Sequence, residues 1–135
     1  ILALSLASNF VFSFEPGIYH GESSDHNEIC HLDLRILLSN VIVGIECRNR
    51  DKNLTIVFPL NLQFGQTGIT DPFGNRMDAL VTDEKFFAMF VNKNNTDYYS
   101  TFELSYLDSQ TIKFTYNKRS NLPTEKLFNL TLKKQ

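Results

Sequence analysis

The stretch Cys30-His31-Leu32-Asp33-Leu34-Arg35-Ile36-Leu37-Leu38-Ser39-Asn40-Val41-Ile42-Val43-Gly44-Ile45-Glu46-Cys47 decides the fold. His31 to Arg35 and Ile42 to Glu46 read as two strands. If Leu37-Leu38-Ser39-Asn40 is the loop between them, Ile36 faces Val41, Leu34 faces Val43, Leu32 faces Ile45 and Cys30 faces Cys47. Every side chain of that ladder is apolar, and the two thiols are opposed. Directly opposed residues on antiparallel strands have Cβ atoms roughly 4.5–5.5 Å apart, close enough for a disulfide after modest adjustment. A two-residue loop is expected to shift the register and leave the cysteines as diagonal neighbours. The expectation is a hairpin with a four-residue loop, stapled by Cys30–Cys47.

Outward from this hairpin, turn-prone clusters recur at Gly21 to Asp25, Asn49 to Asn53, Asn92 to Asp97, Asp108 to Gln110 and Asn117 to Pro123. The gaps between them are mostly of strand length, as in sandwiches and barrels. Leu54, Ile56, Phe58, Leu60 and Leu62 share one face of a strand in which Pro59 marks an edge or a bulge. Phe102-Leu104-Tyr106, Ile112-Phe114-Tyr116 and Phe128-Leu130-Leu132 alternate with polar residues, giving three consecutive strands with one wet face each. Asp83 to Val91 fits either a helix capped by Thr82 or Asp83 or a strand apolar on both faces; its strand neighbours favour the strand. Phe64 to Arg76, with Gly65, Gly68, Asp71-Pro72 and Gly74, reads as the longest loop. The expected fold is all-β, an antiparallel meander of eight or nine strands forming a small closed barrel, with a two-sheet sandwich as the alternative.

With 135 residues there is room for one core. Twelve Phe and five Tyr suit pleated surfaces, and a net charge of −2 offers no basic field, so neither nucleic acid nor an anionic membrane surface is an expected partner. Ile1 to Ser13 carries no charge and reads as the apolar region and cleavage site of a signal peptide, with cleavage before Phe14, or at a second site marked by Ser5 and Ala7, and residues 14–135 as the single mature domain; the alternative is a first strand or a buried apolar arm. A secreted or periplasmic location follows, and it agrees with a disulfide. No later segment approaches the roughly 20 apolar residues of a membrane helix.

Candidate sites are few. His20, His26 and His31, interleaved with Glu22, Asp25, Glu28 and Asp33, are candidate metal ligands, although their spacing matches no known ligand motif. Phe73, at the tip of the long loop, could close over an apolar site. Asn92 to Asp97 lacks the Asp spacing and the Gly of an EF-hand calcium loop. Asn53-Leu54-Thr55, Asn94-Asn95-Thr96 and Asn129-Leu130-Thr131 are glycosylation sequons, relevant in a eukaryote. The chain has no nucleophile elbow, no phosphate loop and no cofactor motif.

Pro16-Gly17-Ile18-Tyr19-His20-Gly21 opens the strand series with a Gly-x-aromatic pattern that resembles the lipocalin and calycin barrels. In those families the motif is Gly-x-Trp; here Tyr19 replaces the Trp, and Arg119 does not clearly stand for the Arg that covers it. The resemblance implies a barrel in which the final strand, Leu127 to Lys133, pairs with the first, Gly17 to Glu22, and removes both edges. An interior lined by Tyr19, Phe58, Phe102, Phe114 and Phe128 would hold a small apolar ligand or be filled. The expected function is an exported, non-catalytic binding protein for a small apolar ligand or a protein partner. The alternatives are an interaction or inhibitor module without a cavity, and a hydrolase whose site is assembled from separate strands.

Overall fold

The computed structural model describes residues 12–92, 94, 98–119 and 124–135. Residues 1–11, most of the expected leader, lie outside the described residues; so do 93 and 95–97 in the Asn92 to Asp97 turn, with its sequon. Ten antiparallel strands follow one another: β1 (Gly17–Glu22), β2 (Glu28–Leu37), β3 (Asn40–Asn49), β4 (Leu54–Gln63), β5 (Gly65–Thr70), β6 (Arg76–Val81), β7 (Lys85–Val91), β8 (Tyr99–Asp108), β9 (Thr111–Arg119) and β10 (Glu125–Lys134). They form one sheet in the order β4-β3-β2-β1-β10-β9-β8-β7-β6-β5. The sheet curls into a nearly closed barrel, so the fold class is the expected one with ten strands in place of eight or nine. Among the described residues no helix is long and apolar enough to cross a membrane.

The β2–β3 ladder has the expected register: Cys30↔Cys47, Leu32↔Ile45, Leu34↔Val43 and Ile36↔Val41. Cys30 and Cys47 are disulfide-bonded, with Cα atoms 4.1 Å apart. The ladder runs one pair further than expected, to Leu37↔Asn40, so the turn is only Leu38-Ser39. A two-residue turn therefore keeps the thiols opposed, contrary to expectation, because it shares its centre with the four-residue loop. Within Asp83 to Val91, Lys85–Val91 is strand: Phe86 and Ala88 are fully buried, and β7 pairs with β6 and β8.

Two further expectations are corrected. Phe64 to Arg76 is mostly strand, not loop. Gly65 to Thr70 pairs residue by residue with Arg76 to Val81, leaving only a short turn around Asp71 to Asn75. Here Asp71 Oδ1 accepts from the backbone N–H groups of Phe73 and Asn75, both at 2.9 Å. Closure also differs from what the resemblance implied. The first and last strands do pair, through Tyr19↔Lys134 and His20↔Lys133, but edges remain at β4 and β5. Gly65, with φ at +96°, turns the chain between them through a conformation that glycine adopts freely.

Inward-facing residues from every strand except β5 fuse into one core. Phe58, Phe86, Phe102, Phe114 and Phe128 form a run of ring contacts through it, with centroids 5.1–6.3 Å apart. One end of the barrel is plugged. Phe12 and Phe14 pack together at 4.7 Å, Phe12 meets Phe64 and Phe14 meets Tyr106, while the Ser13 N–H donates to the Asp83 carbonyl at 2.8 Å. Phe12 and Ser13, placed by sequence in the leader, are thus seated on the barrel. Asn49, buried at the opposite end, donates to the Leu127 carbonyl at 3.1 Å and accepts from Asn27 and the Lys52 N–H.

Replacing Cys30 and Cys47 together by Ala is expected to lower the unfolding free energy by about 3 kcal/mol, the chain-entropy value for a loop of this length. Urea unfolding of the variant checks this; an unchanged midpoint would mean that the ladder alone holds the hairpin. At Gly21 an added Cβ would lie 2.5 Å from Leu132 Cδ2 and 2.6 Å from the Thr131 carbonyl oxygen, whereas at Gly44 it would meet nothing nearer than 4.0 Å. Gly21→Ala is therefore expected to cost about 1–3 kcal/mol, and Gly44→Ala to be neutral or stabilising, in the same urea assay.

Candidate functional site

The C-terminal ends of β1, β3, β5, β7 and β9 lie at the end of the barrel opposite the Phe12–Phe14 plug. Ile69, Met77, Phe90, Ser100 and Lys118 occupy one cross-strand row there, through the pairings Ile69↔Met77, Met77↔Phe90, Phe90↔Ser100 and Ser100↔Lys118. With Tyr116 they line an open concavity of about 720 Å³. Its floor is aromatic: Phe90 stacks on Phe58 at 5.5 Å, and Tyr116 meets the same ring at 5.4 Å. Below lies fully buried Phe102. Behind the mouth the rings of Phe58, Phe86, Phe102, Phe114 and Phe128 pack against one another.

The rim is polar and mostly cationic. Arg76, Lys118 and Arg119 border the opening with Tyr98, Tyr99, Asn75 and Asp71. Arg76 Nε donates to Asp78 Oδ1 at 2.9 Å. Lys118 has no ion-pair partner among the described residues. The Arg119 guanidinium lies 5.9 Å from the Tyr99 ring centre, a cation–π distance. Hydrogen bonding to Arg119, and then to Thr124, holds the Tyr99 phenol below its ordinary value of 10.0. Among the described residues that line the mouth there is no histidine.

The residues predicted from sequence are distributed unevenly around this mouth. Phe58 supports its floor from beneath. Phe102 and Phe114, fully buried, fill the barrel instead of lining a cavity, and so does Phe128. Tyr19 is buried toward the plugged end, where its hydroxyl donates to the Glu15 carbonyl at 2.6 Å. Burial, then the charge of Glu15, pushes its phenol above 10.0. Phe73 is 80% exposed on the β5–β6 turn and does not fold over the opening. Met77, Phe90, Ser100, Lys118 and Arg119, which make the mouth, carry no signal in sequence spacing, because only the ladder joins them.

The three histidines lie on the outer surface. His20 and His31 are directly opposed on β1 and β2, with Nδ1 atoms 3.1 Å apart. His26 is drawn to Glu22 by a close hydrogen bond. Among the described residues no group of three or more His, Cys, Asp or Glu is arranged to hold a metal ion. On the outer face of β1–β4, two shallow concavities of about 350 and 340 Å³ flank Gly44 and Pro59, bordered by exposed Ile18, Val57 and Leu37.

The chain matches no protein-family model, no curated protein and no solved structure.

The two tyrosines act oppositely in alkali. Tyr19 has its folded pKa raised, so its contribution to stability is full below about pH 10 and is lost as pH rises through the folded value. Tyr99 has its folded pKa lowered, so its contribution is present above 10 and is lost as pH falls through the lowered value. Thermal unfolding from about pH 8 to 11 is expected to show a decline that Tyr19→Phe relieves and Tyr99→Phe deepens. The same slope in both variants would contradict these assignments.

Proposed function

We propose that this protein is an exported, non-catalytic binding protein that takes a small apolar ligand with an anionic end in the open mouth of its barrel. The observation that carries this is the composition of the mouth. Its floor of Phe90, Tyr116, Met77 and Ile69 offers apolar contact, and Arg76, Lys118 and Arg119 outnumber Asp71 at the rim. The volume is within the roughly 300–1,000 Å³ usual for small-molecule sites. A chain of net charge −2 that concentrates cations around one apolar opening creates a local field opposite to its overall sign. Such a site favours ligands with a carboxylate, sulfonate or phosphate at one end. Export is supported by the Cys30–Cys47 bridge. The likeness to lipocalins in the Gly17-Ile18-Tyr19 opening agrees with a ligand-binding barrel.

Titration with an anionic naphthalene sulfonate dye, followed by displacement with dodecanoate and dodecanol, tests the proposal. One saturable site is expected, with dodecanoate the better competitor. Replacing Lys118 and Arg119 together by Ala should weaken dodecanoate about tenfold or more, since hydrogen bonds to charged groups contribute roughly 1.5–3 kcal/mol. Ser100→Phe, which fills the mouth, should abolish binding at an unchanged urea midpoint. Absence of saturable binding would leave the module without a cavity as the better account, with the outer face of β1–β4 as its apolar surface.

A further inference from the structure

We propose that His20 and His31 form a two-nitrogen binding site, on the outer face of the barrel, for a divalent transition-metal ion of the copper, nickel and zinc group. The site is separate from the mouth and does not depend on what the mouth binds.

The geometry begins with the ladder. His20 on β1 and His31 on β2 are directly opposed, and their side chains leave the sheet on the same face. The ring centroids are 4.5 Å apart, and the two Nδ1 atoms are separated by 3.1 Å. Imidazole nitrogens bind such ions at about 2.0–2.1 Å. Two nitrogens 3.1 Å apart therefore subtend about 95–102° at a shared ion with those bond lengths. That angle lies between the roughly 90° of square-planar and 109° of tetrahedral coordination. The support is stiff, because Cys30, the neighbour of His31, is bonded to Cys47 on β3.

Carboxylates prepare the pair for a cation. Glu22 Oε2 lies 3.9 Å from His20 Nε2, the nitrogen that points away from His31. A carboxylate on that side favours the tautomer with hydrogen on Nε2 and turns the His20 Nδ1 lone pair toward His31 Nδ1, where a bound ion would displace the proton the two nitrogens share. Glu22 is in turn held by His26. Thus His26, one of the three candidate ligands in the sequence, acts here as a positioning residue. Glu46 stands opposite His31 on β3, and Lys133 opposite His20 on β10. Asp33, two residues beyond His31, is tied to Arg35 at 3.0 Å. Two carboxylates, Glu22 and Glu46, thus face the pair against one ammonium. Both histidines reach solvent, so water completes the coordination shell and no third protein ligand is required. Two imidazoles with water follow the usual affinity order, with Cu²⁺ tightest.

Isothermal titration of tag-free protein with Cu²⁺, Ni²⁺ and Zn²⁺, alongside amide NMR during Cu²⁺ addition, tests this. One ion per chain is expected, with Cu²⁺ tightest and paramagnetic broadening centred on β1 and β2. His20→Asn and His31→Asn should each weaken Cu²⁺ at least about tenfold, and Glu22→Gln about tenfold, the scale on which ligand-orienting carboxylates act. His26→Asn should weaken it less than either ligand variant. The surface position of all four keeps the fold intact, which the NMR spectrum verifies. No one-to-one binding of any of the three ions, binding that survives loss of His20 or His31, or broadening centred elsewhere would each overturn the proposal.

Discussion

Everything in this barrel depends on register. Successive side chains on a strand point to opposite faces, so a slip of one residue would carry a strand's whole apolar set from the core to water. The β2–β3 hairpin settles the matter first. Its ladder is centred between Leu38 and Ser39, and every inward pair from Ile36↔Val41 to Cys30↔Cys47 follows from that centre. The disulfide then makes the register covalent at the far end of the same ladder. β1 pairs with β2 and β4 with β3, so both inherit their phase from the hairpin. The inward set of β1–β4 is in this sense one decision.

The seam between β4 and β5 shows what replaces a missing ladder. β4 is an edge strand, and Pro59 within it removes one backbone donor from the exposed side, a common way of discouraging edge pairing. What holds β4 against the far half of the barrel is aromatic contact. Phe58 touches Phe90 on β7, Phe102 on β8 and Tyr116 on β9, with all three centroids within 5.6 Å. Aromatic pairs of this kind contribute about 0.5–1.5 kcal/mol each beyond their area. The same rings therefore bridge the open seam and form the floor of the mouth. The barrel is filled with rings to that depth and plugged at its other end by Phe12 and Phe14, so the concavity lined by Phe90 and Tyr116 sits at the end opposite the plug.

The sequence made the hairpin legible because its two halves are mutually consistent: one loop centre satisfies the apolar pairs and the thiols together. The strands at Phe102–Tyr106, Ile112–Tyr116 and Phe128–Leu132 were legible for the same reason, since each alternates cleanly. β5 was not. Gly65, Gly68 and polar side chains look like a loop, but an edge strand over the mouth buries little and needs no apolar face; its pairing with β6 is a backbone property. The mouth was illegible for a different reason. Ile69, Met77, Phe90, Ser100 and Lys118 are distant in sequence and meet only because five strands end together. Phe102 and Phe114 were correctly read as inward, but alternation carries no information about radius, so it could not separate a lined cavity from a filled one.

The two faces of the same strands divide the chemistry. On β1 and β2 the inward residues Tyr19, Cys30, Leu32 and Leu34 are wholly committed to the core, and their packing leaves no freedom for exchangeable ligands. The outward residues His20, Glu22 and His31 are spared that duty but inherit its rigidity, because the pleat that buries Leu32 also sets the direction of His31. Pairing on a stiff sheet places two imidazole Nδ1 atoms 3.1 Å apart without a dedicated loop. A loop holding the same groups would have to order itself first, at a cost of roughly 1–2 kcal/mol per residue in backbone entropy. The core thus supplies preorganisation to the outer face at no further cost, and a barrel filled with rings can still carry chemistry on its outside.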